Sequence, residues 1–155
     1  MNLPGLVVRS SSIHAAGCYT TRPVKKGARV CEYDGPRMTK AVADDRYKDR
    51  FVTYLFACDG NTVIDGFGIP MFINHCCDPN CETEEDNGRI FISAVRDIAA
   101  GEELTYEYNL CDSDEEEQDC YCGAINCRTT MFSEMELKRR ARIAKRRTAQ
   151  KGGAR

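Results

Sequence analysis

Phe72-Ile73-Asn74-His75-Cys76-Cys77-Asp78-Pro79-Asn80-Cys81 and the later group Cys120-Tyr121-Cys122-Gly123, followed by Cys127, decide how this chain folds. Three thiolates that close together, with a glycine among them, can wrap one tetrahedral zinc but leave its fourth corner open. Cys76, Cys77 and Cys81 in the earlier stretch are the candidates to close it. Zinc held in this way would tie a late segment of chain to the middle, closing a long loop. Buried, unliganded thiols are the plainer reading, and the spacing argues against it.

Ten cysteines in 155 residues would suggest a disulfide framework in a secreted protein. The opening Met1-Asn2-Leu3-Pro4 stretch lacks the basic-then-apolar layout of a secretory signal, and no apolar run is long enough to span a bilayer. The expectation is therefore a soluble, intracellular chain that binds metal through thiols. Its length suits one domain with its own core.

Around these stretches, runs rich in β-branched and aromatic residues read as strands: Leu6–Arg9, Arg29–Tyr33, Phe51–Cys58, Thr62–Asp65, Arg89–Val95 and Glu103–Tyr108. Asp59-Gly60 and Asn87-Gly88 mark hairpin turns between them. Helix is expected at 39–50, while the charged segment from Ser133 onward reads equally as helix or as unstructured chain, with 150–155 fraying. The fold class is mainly β, in small antiparallel sheets.

Charge is unevenly distributed. Residues 133–155 hold nine Lys or Arg against two Glu, which leaves thirteen basic and twenty-two acidic side chains in the first 132. The body is therefore acidic and the tail basic. An acidic body favours a cationic partner, such as a lysine-rich protein, and repels a phosphate backbone. Direct nucleic-acid binding is expected only through the basic tail.

Taken in order, four blocks resemble the SET-domain protein lysine methyltransferases. They are Ser12-Ile13-His14-Ala15-Ala16-Gly17-Cys18, the 72–81 stretch, Gly101-Glu102-Glu103-Leu104-Thr105-Tyr106-Glu107-Tyr108, and the cysteine group, which is similar to a post-SET zinc motif. Lys26-Gly27 and Glu32-Tyr33-Asp34-Gly35 fall between the first two. The resemblance implies a SET domain over 1–111, an acidic linker over 112–119, a post-SET zinc motif over 120–132 and a basic tail over 133–155. It also implies a pseudoknot, in which the segment bearing Asn74 and His75 threads beneath a loop of later chain.

The resemblance further implies methyl transfer from S-adenosylmethionine to a lysine of a basic protein, histones among the candidates. Location follows as nucleus in a eukaryote and cytoplasm in a prokaryote. Tyr108 maps to the catalytic tyrosine, with Tyr54 and Tyr106 lining the lysine channel. The cofactor would lie against His14, Ala16 and Gly17, with Tyr54, Asn74, His75 and Tyr121 completing its pocket and Met131 or Phe132 over the adenine. Zinc would sit on Cys77, Cys120, Cys122 and Cys127.

The chain departs from the family at several points. Ala15 replaces a glycine, Met71 stands where arginine is common, the 65–74 segment is short, and no cysteine-rich pre-SET region is expected. Two other functions compete: a non-catalytic SET-like binding module, and a nucleic-acid binder acting through residues 138–147. The intact Tyr108 and Asn74-His75 pair speak against the first. A hydrolase dyad of His75 with Cys76 is also disfavoured, since neighbours in a strand face opposite sides.

Overall fold

The computed structural model describes residues 5–50, 52–58, 60–111 and 118–152. Strands β1 (Leu6–Ser10) and β2 (Ala16–Thr20) form an antiparallel pair, with Leu6 opposite Thr20 and Ser10 opposite Ala16. β3 (Arg29–Tyr33) is followed by the short β4 (Arg37–Thr39) and by helix α1 (Lys40–Tyr47). Thr39 caps that helix, its side chain accepting from the Val42 N–H and so satisfying one orphan donor of the first turn.

β5 (Leu55–Ala57) and β6 (Thr62–Asp65) make the hairpin expected around Gly60, and β4 lies on the other side of β6. A single 3-10 turn, Ile69–Phe72, leads into β7 (Asn74–His75). β8 (Cys81–Asp86) and β9 (Arg89–Ala94) are joined by Asn87 and Gly88 at φ 52° and 75°, the left-handed pair that a two-residue hairpin turn demands. β9 is the centre of the sheet β3-β9-β8. β10 (Thr105–Tyr106) then pairs parallel with β7, and α2 (Glu134–Gly152) closes the chain.

Small antiparallel sheets therefore dominate, as expected, and the β7–β10 pair is the parallel exception. It brings residues distant in sequence side by side, the close approach that a threaded crossing requires. The core lies between the sheets: Ile64, Ile73, Ile92, Ile98 and Leu104 are at most 2% exposed. Burial of each such side chain stabilises the fold by roughly 1.5–3 kcal/mol.

The structure corrects several expectations. The run 51–58 contracts to β5, with Phe51 outside the described residues, and 103–108 contracts to β10. β2, β4, β7 and β8 had no counterpart among the expected strands. α1 ends at Tyr47, and the segment after Ser133 is a helix of 19 residues whose last turn takes in Gln150 to Gly152. Most of the acidic linker, 112–117, lies outside the described residues, but Asp119 is bridged to Thr130. No helix among the described residues is long and apolar enough to cross a membrane.

Candidate active site and metal centre

The β7–β10 pair sets Asn74 beside Thr105 and His75 beside Tyr106. Asn80, 2% exposed, fixes this register from within the same motif. Its Oδ1 accepts from the Thr105 N–H at 2.9 Å, and its Nδ2 donates to the Glu103 carbonyl at 2.7 Å. A buried carboxamide with both ends satisfied in this way is a strong local clamp.

Asn74 faces β2. Its Nδ2 donates to the Ala16 carbonyl at 3.0 Å, to Glu103 Oε1 at 2.8 Å and to Ser11 Oγ at 3.3 Å. The Glu103 carboxylate also accepts from the hydroxyls of Ser11, at 2.8 Å, and Tyr19, at 2.9 Å. Gly17 makes this possible, because a Cβ there would stand 2.1 Å from Glu103 Oε1. The glycine requirement at 17 is thus set by Glu103. Ala15, which stands in a glycine position of the resembled family, takes φ 23°, a left-handed conformation that strains an alanine.

Aromatic side chains crowd together on the other side of β10. The Tyr106 and Tyr108 ring centroids are 4.9 Å apart, Tyr106 and Phe56 6.3 Å, Tyr33 and Phe56 5.4 Å, and Tyr54 and Phe72 5.7 Å. The Tyr108 hydroxyl donates to the Ile73 carbonyl at 3.0 Å. Burial pushes the phenols of Tyr33, Tyr106 and Tyr108 well above the ordinary tyrosine range, so all three stay protonated at neutral pH. They act as neutral walls and dipoles, without basic character.

His75, 3% exposed, connects the aromatic wall to the cysteines. Its Nδ1 lies 3.2 Å from the Tyr108 N–H and 3.3 Å from Glu107 Oε1, and one nitrogen cannot accept from the first while donating to the second. Burial lowers the His75 pKa more strongly than Glu107 raises it, so the neutral ring accepting from Tyr108 is favoured. The ring proton then resides on Nε2, 3.5 Å from Cys77 Sγ. This nitrogen faces Cys77, two residues on, which agrees with the argument against a dyad with Cys76.

Cys77, Cys120, Cys122 and Cys127 converge, with all four sulfurs within 4.8 Å of one another. Cys77 and Cys120 are 3.8 Å apart. Zn–S bonds of ~2.3 Å at tetrahedral angles place sulfurs ~3.8 Å apart, so the cluster fits zinc. Backbone N–H groups of Arg128 and Thr129 point at Cys77 Sγ, at 3.4 Å, and Cys127 Sγ, at 3.3 Å, as they would at thiolates. Burial raises the Cys122 thiol, but donors from Cys77, Ala124 and the neighbouring thiols outweigh it and bring Cys122 down to about 6. No disulfide joins any cysteine.

Other residues named from the sequence lie around this centre. Tyr54 is exposed, and its carbonyl accepts from the Tyr33 hydroxyl at 2.7 Å. His14 is exposed in the loop before β2. Tyr121 is exposed beside the cysteines and donates to Asp119 Oδ2 at 3.0 Å. The Met131 N–H donates to the Gln118 carbonyl, and the buried Phe132 is bridged to Leu110, with the Arg140 guanidinium 4.0 Å above its ring. Sequence reasoning missed Glu103, Glu107 and Arg128 as site residues. The first two sit inside the Gly101–Tyr108 block, but nothing in the chain order shows that Ser11, Tyr19 and Arg128 meet them.

Residues 15–109 match the SET domain family, and the chain belongs to that family. The matched region ends before the cysteine group at 120–127. The chain is also 43% identical over 132 residues to a protein of Candida albicans and 44% identical over 133 residues to one of Saccharomyces cerevisiae, each named histone-lysine N-methyltransferase, H3 lysine-4 specific. A protein of Plasmodium falciparum named putative histone-lysine N-methyltransferase 1 is 36% identical over 135 residues. The alignments take in 76% of this chain with either fungal protein and 79% with the third, but 13%, 12% and 2% of those proteins. The chain thus spans about an eighth of the fungal relatives' length.

Proposed function

We propose that this protein is a protein-lysine methyltransferase that uses S-adenosylmethionine and acts on a histone or another basic protein. The observation that carries this reading is the parallel β7–β10 pair, which sets Tyr106 beside His75, next to Asn74, and brings the Tyr108 N–H to His75 Nδ1, in a chain of the SET family. The relatives' printed activity and the acidic body support a histone-like tail as substrate. Such an activity would be exercised in the nucleus of a eukaryote or the cytoplasm of a prokaryote. In this reading residues 1–111 form the catalytic unit, 112–119 a linker, 120–132 a post-SET zinc motif and 133–155 a basic tail.

The donor set suits the cofactor. With the Asn74 amide hydrogens directed at Ser11, Ala16 and Glu103, its Oδ1 is turned away, able to accept from an ammonium group. His14, Ala16, Gly17, Tyr54, His75 and Tyr121 would complete the pocket, with Met131 or Phe132 at the adenine. S-adenosylmethionine, when bound, supplies an electrophilic sulfonium methyl. Zinc on Cys77, Cys120, Cys122 and Cys127 would supply a structural clip holding the late segment beside β7.

The protein's own task is alignment and exclusion of water. Tyr54, Tyr106 and Tyr108 present aromatic surface to a neutral lysine amine without competing as nucleophiles. The Tyr108 hydroxyl donates its hydrogen bond to the Ile73 carbonyl, so its oxygen lone pairs would remain available as acceptors in the channel. The lysine ammonium must shed its proton to solvent before it enters this channel, and Tyr54, Tyr106 and Tyr108 would then hold the neutral amine in line with the methyl that the bound cofactor would supply.

Incubation of the purified protein with isotopically labelled cofactor and a panel of basic proteins, followed by sequencing of labelled peptides, tests this reading. Label confined to lysine, and lost in Tyr108→Phe, is expected. No transfer to any lysine from zinc-loaded protein would leave the non-catalytic binding module as the better account.

A further inference from the structure

Helix α2 begins as part of the domain and ends as a projection from it. Ser133 Oγ accepts from the Glu136 N–H at 3.1 Å and caps the first turn. Glu136, 2% exposed, holds Arg139 and Arg140 at 2.7–2.8 Å, and Arg140 covers Phe132. The Ser133 N–H donates to the Leu110 carbonyl at 3.0 Å and ties the start of the helix to the domain. From Ala141 to Arg146 every residue is exposed.

After Glu136 the helix carries eight Lys or Arg and no carboxylate. At ~100° per residue, Lys138, Arg142, Lys145 and Arg146 share an arc of ~100° on the side away from Glu136 and Arg140, in a row ~12 Å long. Lys138 has Glu134 at 3.8 Å, an exposed pair, whereas Arg142 and Arg146 set like charges four apart beyond the last carboxylate of the helix, which weakens that part of it. A helix that docks on protein presents apolar anchors at i, i+3, i+4 and i+7, and these four positions offer only charge. The acidic body would be repelled by a polyanion, so contact falls to the helix that stands clear of it.

We infer that α2 is a nucleic-acid-docking arm, which lays the face from Lys138 to Arg146 along the phosphate backbone of a double helix without selecting bases. This goes beyond methyl transfer and does not depend on it.

The test is fluorescence anisotropy of the full zinc-loaded protein with a labelled duplex of ~20 base pairs across a salt series. Four phosphate contacts predict log K against log salt with a slope of about −3 to −4. Arg142→Gln/Lys145→Gln/Arg146→Gln, all at exposed positions, is expected to lose roughly three-quarters of that slope, while keeping its melting temperature and its turnover of a free peptide. Three results would overturn the inference: no binding by the intact protein at about 50 mM salt, undiminished binding by the triple variant, or sedimentation showing self-association through these residues that duplex does not displace.

Discussion

Glu107 bridges two parts of the site: one carboxylate oxygen takes the Arg128 guanidinium, and the other lies 3.3 Å from His75 Nδ1. Arg128 follows Cys127 of the four-cysteine cluster, and its own N–H points at Cys77 Sγ. A single ion pair therefore links the strand that leads to Tyr108 with the cysteine knuckle. The two side chains are 23% and 19% exposed, so the pair is screened less than a surface pair. Glu107→Gln keeps the shape and removes the charge, leaving half-satisfied the Arg128 guanidinium, whose Nε already lacks a partner among the described residues. The expected cost is roughly 1–3 kcal/mol in thermal unfolding, with a higher KM for cofactor at unchanged zinc content. Glu107→Leu/Arg128→Leu should recover part of that loss; additive losses would show the pair to be uncoupled.

The same residues show how far the sequence could be read. The turn at Asn87-Gly88 was legible because it is a local signal with a single geometric solution; the spacing of Cys120, Cys122 and Cys127 pointed to a metal site but left Cys76, Cys77 and Cys81 open for the fourth corner, which the family resemblance assigned to Cys77. β2 was not legible: Gly17 must be small because Glu103, some 85 residues away, presses against it, and Cys18 sits in the core. β8 was hidden by Glu82, Glu84 and Glu85, since its solvent-facing edge gives it the composition of a loop. Glu107 and Arg128 are both charged residues in polar surroundings, and their meeting depends on how the knuckle folds back.

Removal of zinc should impair the site before it unfolds the domain. The four cysteines tie 120–127 to Cys77, while the cores of the β3-β9-β8 and β4-β6-β5 sheets lie apart from them. A chelator, or Cys122→Ser, is expected to abolish cofactor binding while most far-ultraviolet circular dichroism persists. Metal analysis finding no zinc in freshly purified protein would refute the assignment.

His75 gives the pH dependence. Its folded-state pKa is lowered by burial, so between that value and the unfolded ~6.5 the unfolded chain holds the extra proton and stability falls with decreasing pH. The stability is present above ~6.5 and is lost on acidification. Nitrogen chemical shifts of zinc-loaded protein should report a neutral Nε2–H ring for His75 at pH ~6.5. A charged ring at that pH would instead assign Nδ1 to Glu107.

Tyr108→Phe removes one hydroxyl and almost no volume. The lost bond to the Ile73 carbonyl at 3.0 Å should lower stability slightly. Turnover should fall by roughly 100-fold if the oxygen acts in the transition state, with cofactor affinity within about twofold of the unaltered protein. Loss of affinity without loss of kcat would make Tyr108 a pocket wall only.

On the proposed activity, Tyr106 is expected to set how many methyl groups are added. Its ring is 6% exposed between Phe56 and Tyr108, and no group among the described residues is recorded as bonding its hydroxyl. Burial keeps the phenol protonated, so it can donate to a water or to the amine in the channel and occupies room that a further methyl would need. The unaltered protein should therefore make chiefly monomethyl-lysine, with some dimethyl. Tyr106→Phe, which keeps the ring packing and frees that space, should shift the product toward di- and trimethyl-lysine at comparable stability. Mass spectrometry of a single-lysine peptide at long incubation reads the ratio directly. Abundant trimethyl product from the unaltered protein would show that the hydroxyl does not restrict the channel, and a fall in melting temperature with an unchanged ratio would reduce Tyr106 to a core residue.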